Sequence, residues 1–265
     1  MADGGVLERI GARTVERVAR LKRERPAADL QNSPLFPRAP RSLTKALLGD
    51  GPAVIAEVKF VSPSEGVLRE GASAAEAARL AGAYLDAGAA VVSILTEPEF
   101  FGGEFDYLAA ARAARPDACL LMKDFFIDPY QFEMARACGA DAILLIAALL
   151  GPRLAELACG AKAAGLSTLI EVHDEAEAEA ALACGADAIG VNSRDLRTLK
   201  TDLDVARRLA PLVRRGAVAV AESGLRSRAE IDELALLGYR GFLIGTTLMK
   251  AKDPAAALTA LLKRP

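Results

Sequence analysis

A chain of 265 residues, 52 % of them hydrophobic and 26 % charged, can supply one large domain or two small ones with a packed core. Its net charge of −2 excludes a general nucleic-acid binder, which needs a concentrated basic surface. No apolar run is long enough to span a bilayer, and Met1–Leu7 does not read as a signal peptide. Cys119, Cys138, Cys159 and Cys184 show no CxxC and no metal-ligand spacing, so reduced thiols in a cytoplasmic protein are expected.

Residues 5–50 differ in rhythm from the rest. Val6, Leu7, Ile10, Val15, Val18 and Leu21 fall near helical spacing with Glu and Arg between them, and Pro26 marks where that helix stops. SPLFPRAPRS reads as irregular and SLTKALLG as a short helix. We expect a helical extension packed on the main body, with residues 1–265 forming one domain.

From Pro52 short apolar runs alternate with amphipathic stretches. The predicted strands are residues 53–58, 90–95, 118–122, 141–146, 168–172, 187–191, 217–221 and 241–245. Their near-continuous apolar character suits parallel strands covered on both faces. Helices are predicted at 74–87, 105–114, 129–138, 152–164, 175–184, 203–213, 229–237 and 247–262, several ending in glycine. The hexapeptide CGADAI occurs twice, at Cys138 and again at Cys184, a separation that fits two strand–helix units of roughly 20 to 30 residues each. It reads as a helix C-cap followed by entry into the next strand. Eight such units predict a (β/α)8 barrel. The rival, an open doubly wound sheet, is disfavoured because no G-x-G-x-x-G follows the first strand.

In such a barrel, chemistry sits where strands run into the following loops. On strand 1, Glu57 and Lys59 share a face, with Val58 between them facing the helices. An inward carboxylate and ammonium must pair or work, and an internal ion pair is the plain alternative. Strand 3 puts Lys123 on the rim and strand 5 puts Glu171 there. Strand 6 ends in Asn192 and Arg194 on one face. This set suits an anionic substrate and proton transfer. Strands 7 and 8 run into Ser223–Gly224 and Gly245–Thr246, where glycine lets backbone N–H groups approach a ligand and a helix begins, a setting for phosphate. His173, the only histidine, reads as a loop residue or a support for a site residue.

In their order, AEVKFVSPSEG, LTEPEFFGG, MKDFFIDPYQ, GADAILLI, LIEVHDE, GVNSRDLRTL, AESGL and FLIGTTLM resemble the indole-3-glycerol phosphate synthase family, from about Pro52 to Pro254. The resemblance implies a TIM barrel of the ribulose-phosphate-binding type, no metal or organic cofactor, and a small anionic sugar-phosphate substrate. It implies ring closure, decarboxylation and dehydration of 1-(o-carboxyphenylamino)-1-deoxyribulose 5-phosphate to indole-3-glycerol phosphate, in tryptophan biosynthesis. Lys123 matches the acid at the ketone oxygen. Lys59 is the candidate acid for dehydration with Glu57 orienting it, and Glu171 is the candidate base. Ser62 and Asn192 match contacts to the anthranilate carboxylate, and Arg194 matches a residue that positions substrate and carboxylates. Ser223, Gly224, Gly245 and Thr246 match the phosphate seat. Phe101, Phe125, Leu144 and Leu196 would wall the aromatic ring, with plain core packing as the alternative. No nucleic acid or membrane partner is expected. A monomer is, with weak association with other tryptophan-pathway enzymes left open.

Loop 1 departs from the family. Phe60–Val61 and Glu65 stand where members often carry cations, and Thr246 replaces a frequent serine. Two other readings remain. The neighbouring phosphoribosylanthranilate isomerase would want a Cys and an Asp as its acid–base pair. A noncatalytic sugar-phosphate-binding barrel would keep the phosphate seat but break the acid–base set.

Overall fold

The computed structural model describes residues 5–195 and 198–263. Eight parallel strands close into a barrel: β1 (Ala53–Val58), β2 (Val91–Leu95), β3 (Leu120–Lys123), β4 (Ala142–Ile146), β5 (Ser167–Val172), β6 (Ala188–Asn192), β7 (Val218–Glu222) and β8 (Gly241–Ile244). Each pairs with its sequence neighbours, and β1 closes on β8 with Ala53 opposite Gly241. The expected (β/α)8 topology is therefore present, with strand ends displaced by one or two residues at most positions.

Period-2 alternation divides the apolar residues into two cores. Inside the barrel lie Ile55, Leu121, Leu144, Leu169, Val220 and Leu243. Between strands and helices lie Val54, Val58, Ile94, Met122, Leu145, Ile170 and Val191. Phe60 follows the same rule. It points outward, is buried, and meets Tyr107 edge-on with ring centroids 5.5 Å apart, so it does not replace a loop cation at the mouth. In both copies of CGADAI the helix ends at the cysteine, and Gly139 (φ 85°) and Gly185 (φ 65°) make the left-handed turn into the next strand.

Two N-terminal helices close the ends of the barrel. α1 (Val6–Glu24) and α2 (Ala27–Gln31) are followed by α3 (Leu43–Leu47). The Leu43 and Leu47 side chains of α3 plug the end where the strands begin. α1 lies across the opposite end. Lys22 pairs with Asp128 at 2.7 Å, the Tyr130 hydroxyl donates to the Arg25 carbonyl at 2.7 Å, and Arg17 pairs with the buried Asp124. The last predicted helix is two helices, Thr246–Met249 and Pro254–Leu262. Proline cannot continue a helix and disfavours a helical residue before it, so Pro254 forces the break. Asp253 then caps the second helix by accepting from the Ala256 N–H at 3.0 Å. Among the described residues no helix is long and apolar enough to cross a membrane.

Candidate active site

The loops after the strands enclose one cavity at the mouth of the barrel. Its lining includes Glu57, Lys59, Ser62, Phe101, Lys123, Phe125, Leu144, Glu171, Asn192, Arg194, Ser223, Gly224, Gly245 and Thr246. These are the sequence-predicted site residues with one exception. Leu196 lies outside the described residues.

A chain of charges crosses the floor. Lys59 Nζ stands 2.6 Å from Glu57 Oε1, and Lys123 Nζ stands 3.0 Å from Glu57 Oε2. Lys123 also lies 3.4 Å from Glu222 Oε2. Burial alone would raise the Glu57 carboxyl, but Lys123 and Lys59 outweigh it and hold the group down at about 2. Burial also works against the Lys123 charge. Glu57, Glu222 and Glu171 overcome it, so the ammonium holds its proton more tightly than an ordinary lysine. Glu222 behaves oppositely to Glu57. Burial pushes it up to about 7, Glu171 and Glu57 add to the effect, and Lys123 only opposes it.

Glu222 is the site residue that the strand-end reading missed. It is the last residue of β7, and Val218, Val220 and Glu222 share the inward face. The alternation that exposed Glu57 and Lys59 would have exposed it, had the strand been carried one residue past Ala221. Two glycines make room for these carboxylates. A β-carbon on Gly190 of β6 would fall 1.9 Å from Glu222 Oε1, and one on Gly245 would fall 2.3 Å from Glu57 Oε1. Gly245 therefore shapes the charged floor as well as the seat beside it.

One wall is apolar. The Phe101 and Phe125 rings lie 5.9 Å apart and tilted by 35°, with Leu144 beside them. Val6, Leu7 and Ile10 of α1 complete it as a roof. An amphipathic pattern predicted that α1 docks, but the pattern does not say on which surface. Across the cavity Asn192 Oδ1 accepts the Arg194 N–H at 3.0 Å, and the Arg194 guanidinium donates to the Leu199 carbonyl at 2.8 Å. Ser62 is buried in a two-strand hairpin, Val61–Ser62 with Gly66–Val67, inside loop 1.

Just past β7, Ser223 (φ 63°) and Gly224 (φ 80°) both adopt left-handed backbone. A non-glycine residue there is uncommon and marks an over-determined turn. Thr246 opens a helical turn whose first N–H groups have no intrahelical partner. The neighbouring Thr247 hydroxyl is already engaged, donating to the Leu225 carbonyl at 2.7 Å. Glu65 pairs with Lys250 just beyond, and Arg69 donates to the Ala251 carbonyl at 2.7 Å, so loop 1 is fastened to this end of the barrel. His173 Nε2 stands 3.6 Å from Glu171 Oε1. Among the described residues no group of three His, Cys, Asp or Glu side chains is arranged to hold a metal ion.

A closed parallel barrel with inward lysines and carboxylates, an aromatic wall and a seat of N–H and hydroxyl groups on strands 7 and 8 defines an acid–base enzyme class for anionic substrates. Residues 7–261 match the family model described as indole-3-glycerol phosphate synthase. The indole-3-glycerol phosphate synthase of Salinibacter ruber is 43 % identical over 97 % of this chain and 94 % of its own length. That of Carboxydothermus hydrogenoformans is 45 % identical over 85 % of this chain and 86 % of its own. Among solved structures, 3-hexulose-6-phosphate synthase from Salmonella typhimurium superposes with a TM-score of 0.63 at 18 % identity, covering 79 % of this chain and 98 % of its own. Thiamine phosphate pyrophosphorylase from Pyrococcus furiosus superposes at 0.59 and 20 %, covering 83 % and 95 %. These two likenesses concern the fold. The chain belongs to the indole-3-glycerol phosphate synthase family.

Proposed function

We propose that this chain converts 1-(o-carboxyphenylamino)-1-deoxyribulose 5-phosphate into indole-3-glycerol phosphate, in tryptophan biosynthesis. The observation that carries the reading is the Lys59–Glu57–Lys123–Glu222 chain, set between an aromatic wall and a seat for an anion.

The residue types follow from the chemistry. An aromatic carbon attacks the ketone carbon, negative charge grows on the ketone oxygen, and Lys123 donates to it. The carboxylate then leaves as carbon dioxide, restoring the electron pair to the ring. Loss of the hydroxyl as water needs a second acid, Lys59, which Glu57 orients through their 2.6 Å contact. The proton that must be removed goes to Glu171. Each such transfer is worth about 10²–10⁴-fold. Glu222, with its carboxyl near 7, can give or take a proton at neutrality and so return Lys123 to its charged form. Phe101, Phe125, Leu144 and Leu196 hold the ring, with the α1 roof excluding water. Ser62 and Asn192 take the anthranilate carboxylate, with Arg194 positioning it. Ser223, Gly224, Gly245 and Thr246 take the phosphate.

The reading extends to a cytoplasmic monomer of one domain, residues 1–50 being an extension packed on the barrel, with α1 lining the same cavity as the strand-end residues. The test is turnover of substrate labelled in its carboxylate. Labelled carbon dioxide should appear one-for-one with the indole product. Decarboxylation without indole, or no release from folded protein that binds substrate, would contradict the proposal.

A further inference from the structure

The mechanism above leaves the only histidine without a task, yet its surroundings are built with care. β5 carries Glu171 into the mouth and ends at Val172, and His173 follows with its ring beside the Glu171 carboxylate. Asp174 caps the next helix, Glu175–Ala183, by accepting the Glu177 N–H at 2.9 Å. This turns the Glu177 side chain back, so that its Oε2 accepts the His173 backbone N–H at 2.8 Å and stands 3.4 Å from ring Nδ1. A carboxylate there makes Nδ1 the protonated nitrogen. The other nitrogen, Nε2, is shut off from water, has no hydrogen-bond partner, and stands 3.6 Å from Glu171 Oε1.

That geometry has a consequence for charge. A neutral ring protonated on Nδ1 would aim a lone pair at a carboxylate oxygen. An imidazolium would aim an N–H at it. The ionisable groups acting on the ring are Glu171 of β5, Glu177 of the following helix and Glu222 of β7, all carboxyl groups. Lys123, a nearby cation, makes its ion pairs with Glu57 and Glu222 and acts on Glu171 only through its charge. We infer that His173 is a positioning residue: braced by Glu177, its imidazolium supplies the counter-charge and the N–H that keep the Glu171 carboxylate turned toward substrate. Burial works against the charged ring, but the Glu177 contact and the charges of Glu171 and Glu222 outweigh it and hold its proton affinity above the usual histidine value. The inference rests on Glu171 acting as the base proposed above.

A single histidine makes the test direct. NMR titration of the ring protons reads His173 alone, in folded protein, without substrate. Its midpoint should lie above the ordinary value near 6.5, and should fall in both Glu171→Gln and Glu177→Gln. In turnover, His173→Gln should lower kcat about tenfold, leave KM nearly unchanged, and move the acid limb of the kcat/KM profile to higher pH. Glu171→Gln/His173→Gln should be no slower than Glu171→Gln. A histidine midpoint indifferent to Glu171→Gln would overturn the inference. So would a His173→Gln profile superposing on wild type, or a double variant slower by the product of the two single effects. Wild-type protein without synthase activity would instead contradict the proposed function, and the titration would still decide the pairing.

Discussion

Gly190 shows how closely single atoms set this site. A methyl group there would overlap Glu222 Oε1 at 1.9 Å, so Gly190→Ala must push the carboxylate off Lys123. Misplacement by about 1 Å at a reacting group costs on the order of 10²-fold. We expect kcat of Gly190→Ala to fall by about that factor while the circular dichroism of the folded chain stays unchanged. Wild-type kcat would contradict this. Glu57 gives a prediction on stability. Its folded-state carboxyl, at about 2, lies below the ordinary 4.5, so the unfolded chain binds the proton more readily. The stabilisation it contributes is complete above the ordinary value and is lost as pH falls from there toward about 2. Denaturant titrations should show wild type losing its advantage over Glu57→Gln across that window, and a constant gap would count against the ion-pair chain. At this scale the sequence was legible wherever period-2 alternation was followed to the end of a strand. Glu57, Lys59, Lys123 and Glu171 came out that way. Glu222 did not, because the strand predicted over 217–221 stops one residue short of it, whereas β7 runs through Glu222.

Elements carry the site through what they fasten. α1 brings Val6, Leu7 and Ile10 over the aromatic wall and sends Arg17 to Asp124, the neighbour of Lys123. Asp124 is nearly wholly buried and also accepts from the Thr96 hydroxyl at 2.8 Å and the Phe125 N–H at 2.8 Å. Removing one partner of such a pair leaves a buried charge and costs about 3–5 kcal/mol. Part of that cost is escaped if α1 lifts away. Arg17→Met should therefore raise KM more than it lowers kcat and should speed proteolysis within α1; equal changes in both constants would argue that α1 does not roof the substrate. Loop 1 is held by Glu65–Lys250 and by Arg69 on the Ala251 carbonyl. The anion that replaced a cation in loop 1 thus has a local partner. The helical rhythm of residues 6–24 was plain in the sequence, but rhythm names a face and not its neighbour. The single helix predicted over 247–262 is broken before Pro254, where Asp253 caps a new helix.

The whole molecule separates stability from chemistry by the two ends of the barrel. Where strands begin, Asp141 is fully buried and accepts from Arg112, from Arg38 at 2.7 Å, and from the backbone N–H groups of Leu120 and Arg41, each at 2.8 Å. Asp141→Ala would strand two cations, one of them wholly buried, and should cost about 3–5 kcal/mol of stability with little change in kcat of the folded fraction. A lowered kcat at full stability would contradict this division. The fold itself was readable because eight similar units repeat one instruction, strand then helix then glycine. The site was readable less completely because it is assembled across strands, and the fit of Gly190 to Glu222 is a relation between two chains of atoms that no single segment encodes. The most direct test of the account is indole fluorescence after adding 1-(o-carboxyphenylamino)-1-deoxyribulose 5-phosphate to wild type and to Lys123→Ala. We expect a rise with wild type, and none with the variant although it still binds substrate through the phosphate seat. Normal turnover by Lys123→Ala, or no rise with folded wild type, would contradict it.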